Sequence, residues 1–371
     1  MTRASANPSF WAGRDVFVTG HTGFKGAWLS LWLQQMGANV TGFSLAPPTT
    51  PNLFEAARIG DGMTSVIGDI RDFELLATTL EKSRPSVVFH LAAQSIVSEG
   101  YRLARETFAT NLTGTINLLE AIRTCHSIKA AVIITSDKSY APSASATPLI
   151  EGDPLGGKDP YSASKSCAEI AVASWRHSFF AEPHASRIAT ARAGNVIGGG
   201  DWSVHRLLPD IARAFIANEA LKLRMPNAVR PWQHVLDALG GYLQLAEKLC
   251  VDDVANTGVG FARAWNFGPS TADHLTAQEV AERCAKLWGE QAKIEITANN
   301  FQQETQSLRL DATRAHALLN WYPTWSADEA LRHTLSWYRQ WHSTPGDAQQ
   351  LRRMTVAQIH EYNTGNASPL H

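Results

Sequence analysis

A tyrosine and a lysine in the middle of the chain have a spacing that suits a general base. Tyr161 and Lys165 stand four residues apart, about one helical turn, so their side chains would share one helix face. Pro160 precedes them and is compatible with a helix start, where its missing N–H costs nothing. A cation beside a phenol favours the phenolate and lowers the pKa of the tyrosine. Because ordinary surface helices also carry this spacing, the pair alone does not identify a reaction.

A second group of reactive residues follows an apolar run. Residues 130–135, Ala-Ala-Val-Ile-Ile-Thr, predict a buried strand, and Ser136, Asp137 and Lys138 come directly after it. Ligands of open α/β sheets lie beyond the carboxyl ends of the strands. A hydroxyl, an acid and an amine at that place can orient a substrate hydroxyl, donate a proton and accept one. A polar loop with local capping is the alternative interpretation of these three residues.

Three glycines near the N-terminus lie between a predicted strand, residues 15–19, and a predicted helix, residues 27–36. Gly20 would permit a tight turn, Gly23 would let the backbone approach a pyrophosphate, and Gly26 would let helix and strand pack closely. The N–H groups at the start of the helix would then face the phosphates. The order of strand, glycine-rich turn and helix predicts a dinucleotide-binding site.

The end of the second predicted strand leaves the choice between NAD and NADP open. A site for NAD usually has an acid there to hold the ribose hydroxyls, whereas this chain has Ser44, Leu45 and Ala46. No arginine stands there to bind a 2′-phosphate. Lys25 and His21 in the glycine turn would add positive charge near the phosphates. We expect NAD as the cofactor, with NADP as the alternative.

Two further strands complete the predicted cofactor side. Residues 63–67 precede Asp69, which is placed either to receive the adenine amino group or to cap a helix. Residues 87–91 precede Ala92 and Ala93, whose small side chains let the backbone lie close to a cofactor. The residues predicted to bind the cofactor are Gly20, Thr22, Gly23, Phe24, Lys25, Gly26, Asp69, Ile70, Leu91, Ala92, Ala93, Tyr161 and Lys165. The pattern predicts an α/β fold with a doubly wound parallel sheet of the Rossmann type.

Bulk composition argues against several classes of protein. The chain has 371 residues and a formal net charge of -1, so it is long enough for two lobes and gives no reason to expect a nucleic-acid partner. Its four cysteines are scattered without a metal-like spacing, which predicts reduced thiols and no metal site. Because no signal-peptide pattern and no long apolar window is present, we expect a cytoplasmic protein without a membrane partner.

Several motifs together resemble the extended short-chain dehydrogenase/reductase family, whose members bind sugar nucleotides. The motifs are the Gly20–Gly26 loop, Ser136-Asp137-Lys138, residues 155–162, Tyr161-x-x-x-Lys165 and residues 230–235, Arg-Pro-Trp-Gln-His-Val. Nucleotide-sugar 4,6-dehydratases of this family usually carry Thr-Asp-Glu where this chain has Ser-Asp-Lys. The triplet is similar to that of the subgroup whose substrate is CDP-glucose, and the resemblance spans roughly residues 10–345.

The resemblance implies two lobes. Residues 10–193 would form a dinucleotide-binding domain, to which residues 233–267 return. Residues 194–232 and 268–345 would form a smaller mixed α/β substrate-binding domain, and residues 346–371 a tail without an interpretable pattern.

The resemblance also implies residues that bind the sugar nucleotide. Asn195 would contact the diphosphate, and Arg206 would open a helix that covers the nucleotide base. Arg230 is expected in a loop, where its planar guanidinium suits a diphosphate. Gln94 and Arg309 complete the residues predicted to bind the substrate.

The reaction implied is dehydration of CDP-glucose to CDP-4-keto-6-deoxyglucose, a step of deoxysugar biosynthesis such as that of lipopolysaccharide O-antigen. Tyr161, kept as a phenolate by Lys165 and the oxidised nicotinamide, would take the 4-hydroxyl proton while hydride leaves C4. Lys138 would take the C5 proton, Asp137 would protonate the departing 6-hydroxyl, and hydride would return to C6. Ser136 would orient the substrate hydroxyl. Lys138 must be neutral for this role, which requires burial or neighbouring positive charge.

Three alternatives stay open at this point. A nucleotide-sugar 4-epimerase would share Tyr161, Lys165 and the cofactor, but would not need Asp137 and Lys138. A dehydratase of a GDP or dTDP sugar would differ mainly in the base pocket. A non-catalytic dinucleotide sensor would need no base at all. The resemblance further suggests a homo-oligomer, either a dimer built on helices or a tetramer.

Overall fold

The computed structural model describes residues 6–142, 147–182, 185–251, 260–270, 273–297 and 308–365. The strands in these residues are β1 Asp15–Thr19, β2 Asn39–Ser44, β3 Thr64–Ile67, β4 Val87–His90, β5 Ala130–Ile134, β6 Arg187–Ala193, β7 Asn195–Ile197, β8 Ala220–Leu223, β9 Val229–His234, β10 Ala264–Phe267, β11 His274–Thr276 and β12 Lys293–Ile296. The helices are α1 Pro8–Trp11, α2 Phe24–Gln35, α3 Leu53–Ala56, α4 Phe73–Ser83, α5 Val97–Arg102, α6 Ala104–Phe108, α7 Gly114–Thr124, α8 Pro160–Phe179, α9 Leu207–Ile216, α10 Val235–Cys250, α11 Ala277–Trp288, α12 Thr313–Leu319, α13 Ala327–Ser343 and α14 Ala348–Thr364. None of these helices is long and apolar enough to cross a lipid bilayer.

Seven of the described strands form one parallel sheet in the order β10-β6-β5-β4-β1-β2-β3. Its central strands are buried on both faces, which is typical of parallel sheets covered by helices on both sides. In β1, Val16 and Val18 belong to one apolar core and Phe17 to the other. The doubly wound parallel sheet predicted from the sequence is therefore confirmed.

Two helical layers cover the faces of this sheet. On one face lie α2 and α10, whose Trp28, Trp32 and Leu243 are fully buried. On the other lie α4, α7 and α8, which contribute Leu80, Leu118 and Val172 to the second core. Both layers leave the carboxyl ends of the strands uncovered, and the segments that could carry chemistry follow those ends.

The smaller lobe contains two short sheets and a third apolar core. In one sheet β9 pairs with β7 in parallel and with β11 in antiparallel orientation, and in the other β8 pairs with β12. Leu208, Leu221, Leu275, Val280 and Leu331 pack together in the third core. These elements confirm the predicted smaller lobe of mixed α/β structure. The domain boundaries assigned from the sequence stay a prediction.

Two local predictions are wrong. Helix α2 begins at Phe24 rather than Ala27, so Lys25 and Gly26 lie in its first turn. Arg230 lies inside strand β9 rather than in a loop, because β9 has pairing partners on both sides.

The C-terminal segment packs on the nucleotide-binding side of the molecule. In α14, the Arg352 guanidinium donates to the Gln34 side chain at the end of α2 at 2.9 Å. The ring of Tyr362 lies 5.5 Å from that of Trp32 and 5.5 Å from that of Trp325, in edge-on contact with each. The tail that the sequence left without a role, residues 346–371, thus contributes α14 to the first core. Residues 366–371 lie outside the described part of the chain.

Candidate active site

A cavity of about 940 Å³ opens at the carboxyl end of the main sheet. Its walls come from the segments that follow the main-sheet strands and, opposite them, from β8, β9 and the start of α9. The predicted residues that line it are Gly20, Thr22, Gly23, Phe24, Lys25, Gly26, Asp69, Ile70, Leu91, Ala92, Ala93, Ser136, Asp137, Lys138, Tyr161, Lys165, Asn195, Arg206 and Arg230. The position agrees with the rule that α/β sheets bind ligands beyond their carboxyl strand ends.

The glycine turn between β1 and α2 has a geometry that side chains would obstruct. Gly20 has a φ of +75°, and a Cβ there would lie 2.6 Å from the backbone nitrogen of Ala92. A Cβ on Gly26 would lie 2.0 Å from the Gly20 carbonyl oxygen, so this glycine lets helix and turn pack closely. Gly23 precedes α2 without a side-chain cap, so the first N–H groups of the helix are available to an anion.

Helix α8 begins where the sequence predicted and carries the tyrosine–lysine pair. Asp159 caps it by accepting a hydrogen bond from the Ser162 N–H at 2.9 Å, and Pro160 occupies the first turn. Tyr161 and Lys165 are both buried and both line the cavity. The Lys165 ammonium donates to the Ile134 carbonyl at 3.1 Å, which ties the helix to the end of β5.

The electrostatics of this pair differ from the prediction. Burial raises the pKa of the Tyr161 phenol above its ordinary value, although a hydrogen bond with Ser136 acts in the opposite direction. Burial also lowers the pKa of Lys165 to about 8, opposed by the negative charge of Glu169. In the protein alone, desolvation of the phenolate outweighs the effects that lower the pKa of Tyr161, so the prediction that Lys165 and an oxidised nicotinamide together favour the phenolate stays a prediction.

Ser136, Asp137 and Lys138 form a tight turn directly after β5. The Ser136 hydroxyl accepts a hydrogen bond from the Lys138 N–H at 3.2 Å and donates to Asp137 Oδ1 at 3.0 Å. Ser136 therefore does cap the turn, as the alternative interpretation of these residues required. Asp137 Oδ2, however, is buried and has no hydrogen-bond partner among the described residues. A buried polar atom without a partner at a cavity wall is suited to meet a ligand group.

The protonation of Asp137 suits an acid. Burial raises the pKa of its carboxyl, against smaller opposing effects of Lys138, Ser136 and Arg230. Gly194 keeps the far side of the carboxylate uncrowded, since a Cβ there would lie 3.1 Å from Oδ2. Lys138 is half-buried beside it and also faces the cavity. The structure thus brings a carboxyl group of raised pKa and an amine into the cavity that holds Tyr161.

Basic side chains outnumber acidic ones around the cavity. The basic residues that line it are Lys25, Lys138, Lys165, Arg206, Lys222, Arg224 and Arg230, and the acidic ones are Asp69, Asp137, Asp201 and Asp210. Burial and the nearby Arg206 and Lys165 lower the pKa of Lys25 to about 8, against Asp137 and Asp201. A chain with almost no net charge thus concentrates positive charge in one place, which suits a diphosphate.

His21 does not add to this charge, contrary to the prediction. Its ring is buried and hydrogen-bonded to the Ser65 hydroxyl at 2.7 Å. Burial lowers the pKa of His21 to about 4, against a smaller effect of a hydrogen bond with Phe43, so the ring is neutral near pH 7.

The two cavity arginines that the sequence predicted are held differently. Arg206 directly precedes α9, as predicted, and its guanidinium donates to Asp201 Oδ2 at 2.8 Å and to Ser95 Oγ at 2.9 Å. It therefore spans from the smaller lobe to the loop after β4. Arg230 is buried within β9, where its Nη1 donates to the Val229 carbonyl at 2.9 Å. Asn195 begins β7 and is half-buried at the cavity wall.

Two predicted substrate residues do not line the cavity. The Gln94 amide is engaged within the protein, since it donates to Thr107 Oγ1 on α6 at 2.9 Å and accepts from the Ile96 N–H at 2.6 Å. Arg309 is exposed and stands apart from the cavity lining, with its carbonyl bound to the Leu149 N–H at 2.9 Å. Local polar patterns suggested both residues, but tertiary contacts direct them elsewhere.

The adenosine end of the cavity carries hydroxyls and a single acid. Asp69 lines the cavity and is paired with the Arg71 guanidinium at 2.6 Å. Its alternative interpretation as a helix cap is wrong, because Asp72 caps α4. At the end of β2 the Thr22 and Ser44 hydroxyls are hydrogen-bonded at 2.8 Å. Among the described residues, no carboxylate stands at the end of β2 to repel a 2′-phosphate, so this geometry suits NAD and NADP alike.

The sequence reasoning missed three residues that organise the site. Asp201 and Ser95 hold Arg206. Ser95 lies 111 residues away along the chain and Asp201 only five, but neither lies in a motif that indicates the contact. Glu169 lies one turn after Lys165 on α8 and forms a buried ion pair with Arg192. Its signal was present in the sequence, because it follows Lys165 by four residues on the same helix face.

Comparison with known proteins gives consistent matches over most of the chain. The family model described as GDP-mannose 4,6 dehydratase matches residues 17–334. A CDP-glucose 4,6-dehydratase from Salmonella typhimurium is 45% identical over 337 residues, which cover 90% of this chain and 92% of that protein. A UDP-glucose 4-epimerase from Halalkalibacterium halodurans is 25% identical over 339 residues, 88% of this chain and 96% of its own.

Solved structures share the fold. A dTDP-glucose 4,6-dehydratase from Bacillus anthracis, in complex with NAD, superposes with a TM-score of 0.72 at 23% identity, covering 88% of this chain and 97% of that one. At this level of identity the similarity concerns the fold alone.

Proposed function

The chain belongs to the nucleotide-sugar dehydratase family described as GDP-mannose 4,6 dehydratase, and from that premise we propose that it converts CDP-glucose to CDP-4-keto-6-deoxyglucose. The observation that carries the proposal is the Asp137–Lys138 pair in the same cavity as Tyr161 and Lys165. A 4-epimerase needs the second pair but has no use for the first. The 45% identity to a CDP-glucose 4,6-dehydratase, against 25% to an epimerase, favours the same reaction.

NAD is the proposed cofactor, and the residues present fit a dinucleotide. Gly23 and the uncapped start of α2 offer backbone N–H groups to a pyrophosphate, with the Lys25 side chain beside them. Tyr161 and Lys165 would hold the nicotinamide end, and Asp69 with Ile70 the adenine end. When bound, the nicotinamide accepts a hydride from C4 of the sugar and returns it to C6.

Tyr161 is the base for the 4-hydroxyl in this proposal. Its phenol lies at the cavity wall and is hydrogen-bonded with Ser136. The Ser136 hydroxyl can exchange this hydrogen bond for one with the substrate hydroxyl. Lys165 stands one turn along α8 and holds the helix against β5. Because burial raises the pKa of Tyr161, the protein relies on the charges that a bound ligand brings to favour the phenolate.

Asp137 and Lys138 carry out the elimination. Lys138 takes the C5 proton, and Asp137 gives a proton through its unpaired Oδ2 to the departing 6-hydroxyl. The elimination requires Asp137 as a carboxylic acid and Lys138 as a neutral amine. That pair holds the same number of protons as a carboxylate and an ammonium, so the two forms differ only in where the proton lies. Burial penalises the charged form of Asp137 and so favours its carboxylic acid.

The diphosphate of the substrate is bound by arginines in this proposal. Arg206 and Arg230 approach the cavity from the smaller lobe, and Asn195 lies between the two lobes at its wall. Arg206 would exchange part of its contact with Ser95 or Asp201 for the phosphate oxygens.

The test is to incubate the purified protein with NAD and CDP-glucose in D₂O. The expected product is a 4-keto sugar, detected by its absorbance in alkali, with deuterium at C5 by mass spectrometry. UDP-glucose, dTDP-glucose and GDP-mannose are tested in parallel. Faster turnover of one of them would refute cytosine as the nucleotide base of the substrate. A 4-epimer formed without loss of water would refute dehydration.

A matched pair of variants tests whether Tyr161 is the general base for the 4-hydroxyl. Tyr161→Phe should abolish reduction of the cofactor, because phenylalanine has no hydroxyl to accept the substrate proton, whereas Tyr322→Phe on the exposed surface should retain normal turnover. Near-normal turnover of Tyr161→Phe would exclude Tyr161 as the base.

A homo-oligomer built on helices, a dimer or a tetramer, is the proposed assembly. Ile170 on α8 is 57% exposed, although it is a large apolar side chain. Sedimentation of the wild type against Ile170→Glu tests this: the variant should be monomeric, and an unchanged sedimentation coefficient would refute an interface at α8.

A further inference from the structure

A buried ion pair lies behind the site. The Arg192 guanidinium binds Glu169 through two hydrogen bonds, from Nε at 2.9 Å and from Nη2 at 2.8 Å. Both side chains are only 3% exposed. The Thr190 hydroxyl donates to the same carboxylate at 2.7 Å, and the Thr135 hydroxyl makes a further short hydrogen bond to it. Four donors thus converge on one buried carboxylate.

The position of Glu169 connects Lys165 on α8 with the end of β5, which Ser136 follows. Along α8 it follows Lys165 by one turn, on the same face of the helix. Its partner Thr135 directly precedes Ser136 at the end of β5. Glu169 does not line the cavity, so it cannot contact a substrate held there.

We propose that Glu169 is a positioning residue of this enzyme, whose buried negative charge keeps Lys165 protonated and whose hydrogen bond to Thr135 fixes the strand end that carries Ser136. The effect of Glu169 on turnover rests on the proposed function. The effect of Glu169 on the protonation of Lys165 does not, because it concerns the protein without substrate.

The charges around Lys165 make Glu169 necessary. The titratable and charged groups near it are Tyr161 and Glu169 on α8, Lys25 on α2, His90 on β4, Asp137 after β5 and Arg192 on β6. Lys25 and Arg192 are cations, and burial, aided by Lys165, lowers the pKa of His90 to about 3, so it is neutral. Burial raises the pKa of Asp137, and Asp137 is not among the groups that shift the pKa of Lys165. Glu169 is the charged neighbour that raises the pKa of Lys165 against burial.

A purely structural role would have different consequences. The pair continues into a polar network, since Arg192 lies 4.7 Å over the Tyr140 ring and the Tyr140 hydroxyl donates to Asn266 at 2.7 Å. If Glu169 only supported this network, its loss would lower stability and leave the titration of Lys165 unchanged. The titration of Lys165 therefore separates the two roles.

The first experiment is competitive labelling of the ligand-free protein with trace acetic anhydride across pH, read by mass spectrometry on the peptide that holds Lys165. In Glu169→Gln the labelling midpoint of Lys165 should fall by about one pH unit, because loss of a nearby negative charge disfavours the ammonium. The exposed Lys129 serves as an internal reference and should not shift. An unchanged midpoint for Lys165 would overturn the proposal.

Because Glu169→Gln leaves Arg192 buried without a counter-charge, a second variant is needed. Glu169→Gln combined with Arg192→Met removes both charges and should show the same direction of shift. Glu169→Asp keeps the charge and should return the midpoint towards the wild type. Thr190→Val removes one hydrogen bond without changing charge, so it should lower the unfolding temperature and leave the midpoint unchanged.

Turnover gives an independent reading. The alkaline limb of the pH profile of CDP-glucose dehydration should move to lower pH in Glu169→Gln, in parallel with the labelling midpoint. If the wild type does not dehydrate CDP-glucose, the proposed function fails while the labelling result still decides the role of Glu169. A shifted midpoint with an unshifted profile would refute the link to turnover.

Discussion

At the scale of residues, Asp137 and Lys138 distinguish this site from one that only moves a hydride. Both line the cavity, and burial raises the pKa of Asp137. The sequence placed them correctly, because three reactive residues after a buried strand must emerge at the carboxyl edge of a parallel sheet. The burial that raises the pKa of Tyr161 in the protein alone could not be predicted, because a short motif shows a nearby cation but not the surroundings that exclude water.

Lys138→Met tests the proton transfer at C5. We expect it to retain CDP-glucose binding, to lose deuterium incorporation at C5 and to lower kcat by about 10²–10⁴-fold, as removal of a general base does. Binding is measured by calorimetry and exchange by mass spectrometry in D₂O. Lys129→Met, at an exposed position, is the matched control and should behave as wild type. Normal C5 exchange in Lys138→Met would reject the role of the lysine.

Asp137→Asn tests the buried acid through both activity and stability. Because the folded protein raises the pKa of this carboxyl above 3.8, the folded state binds a proton that the unfolded chain has lost, and this contribution to stability falls as pH rises. The asparagine variant lacks that dependence. Its unfolding temperature relative to wild type should therefore increase from pH 4 upward, while kcat falls about 10²–10⁴-fold. Parallel pH curves for the two proteins, measured by scanning calorimetry, would contradict a raised pKa.

At the scale of elements, the sequence predicted the strands of the main sheet well and the smaller sheets poorly. The predicted strand at residues 15–19 has the observed bounds, and the one at 130–135 ends one residue late. These strands are continuous apolar runs, which local sequence shows directly. The strand around Arg230 is stabilised by pairing with β7 and β11, whose residues lie far away along the chain, so its local sequence is uninformative.

Gly26→Ala tests the contact between the glycine turn and α2. The added Cβ would lie 2.0 Å from the Gly20 carbonyl oxygen, so the helix must shift. We expect a loss of about 1–3 kcal/mol in the free energy of unfolding, as for other overpacked sites, together with weaker NAD binding. Gly152→Ala is the control, because nothing lies within 4 Å of its Cβ. Equal denaturant midpoints for the two variants would show that the turn tolerates the side chain.

At the scale of the whole molecule, the described residues from both ends of the chain meet in one core. Asn266 on β10, which closes one edge of the main sheet, binds the Leu149 and Asp311 carbonyls at 2.9 and 3.0 Å. Helix α14 packs against α2. Neither connection has a local signature, because amphipathic periodicity shows that a helix has an apolar face but not what covers it. For the same reason the sequence left the tail without a role.

Tyr362→Ala tests whether the tail stabilises the fold. Tyr362 is 1% exposed and contacts Trp32 and Trp325, so its truncation should cost about 3–5 kcal/mol in the free energy of unfolding. Tyr322→Ala, at a residue that is 40% exposed, should cost less than about 1 kcal/mol. Chemical denaturation measures both. A small effect at Tyr362 would show that the main sheet is stable without α14.

The contact between α14 and α2 also has a consequence for synthesis. Trp32 emerges from the ribosome early, but its partner Tyr362 is among the last residues described. At about 5–20 residues per second, roughly 15–70 s separate the two, during which this apolar face of the nascent chain is incompletely covered. The nucleotide-binding lobe therefore cannot reach its final packing until Tyr362 has been synthesised, and holding chaperones would have their longest access to that face before then.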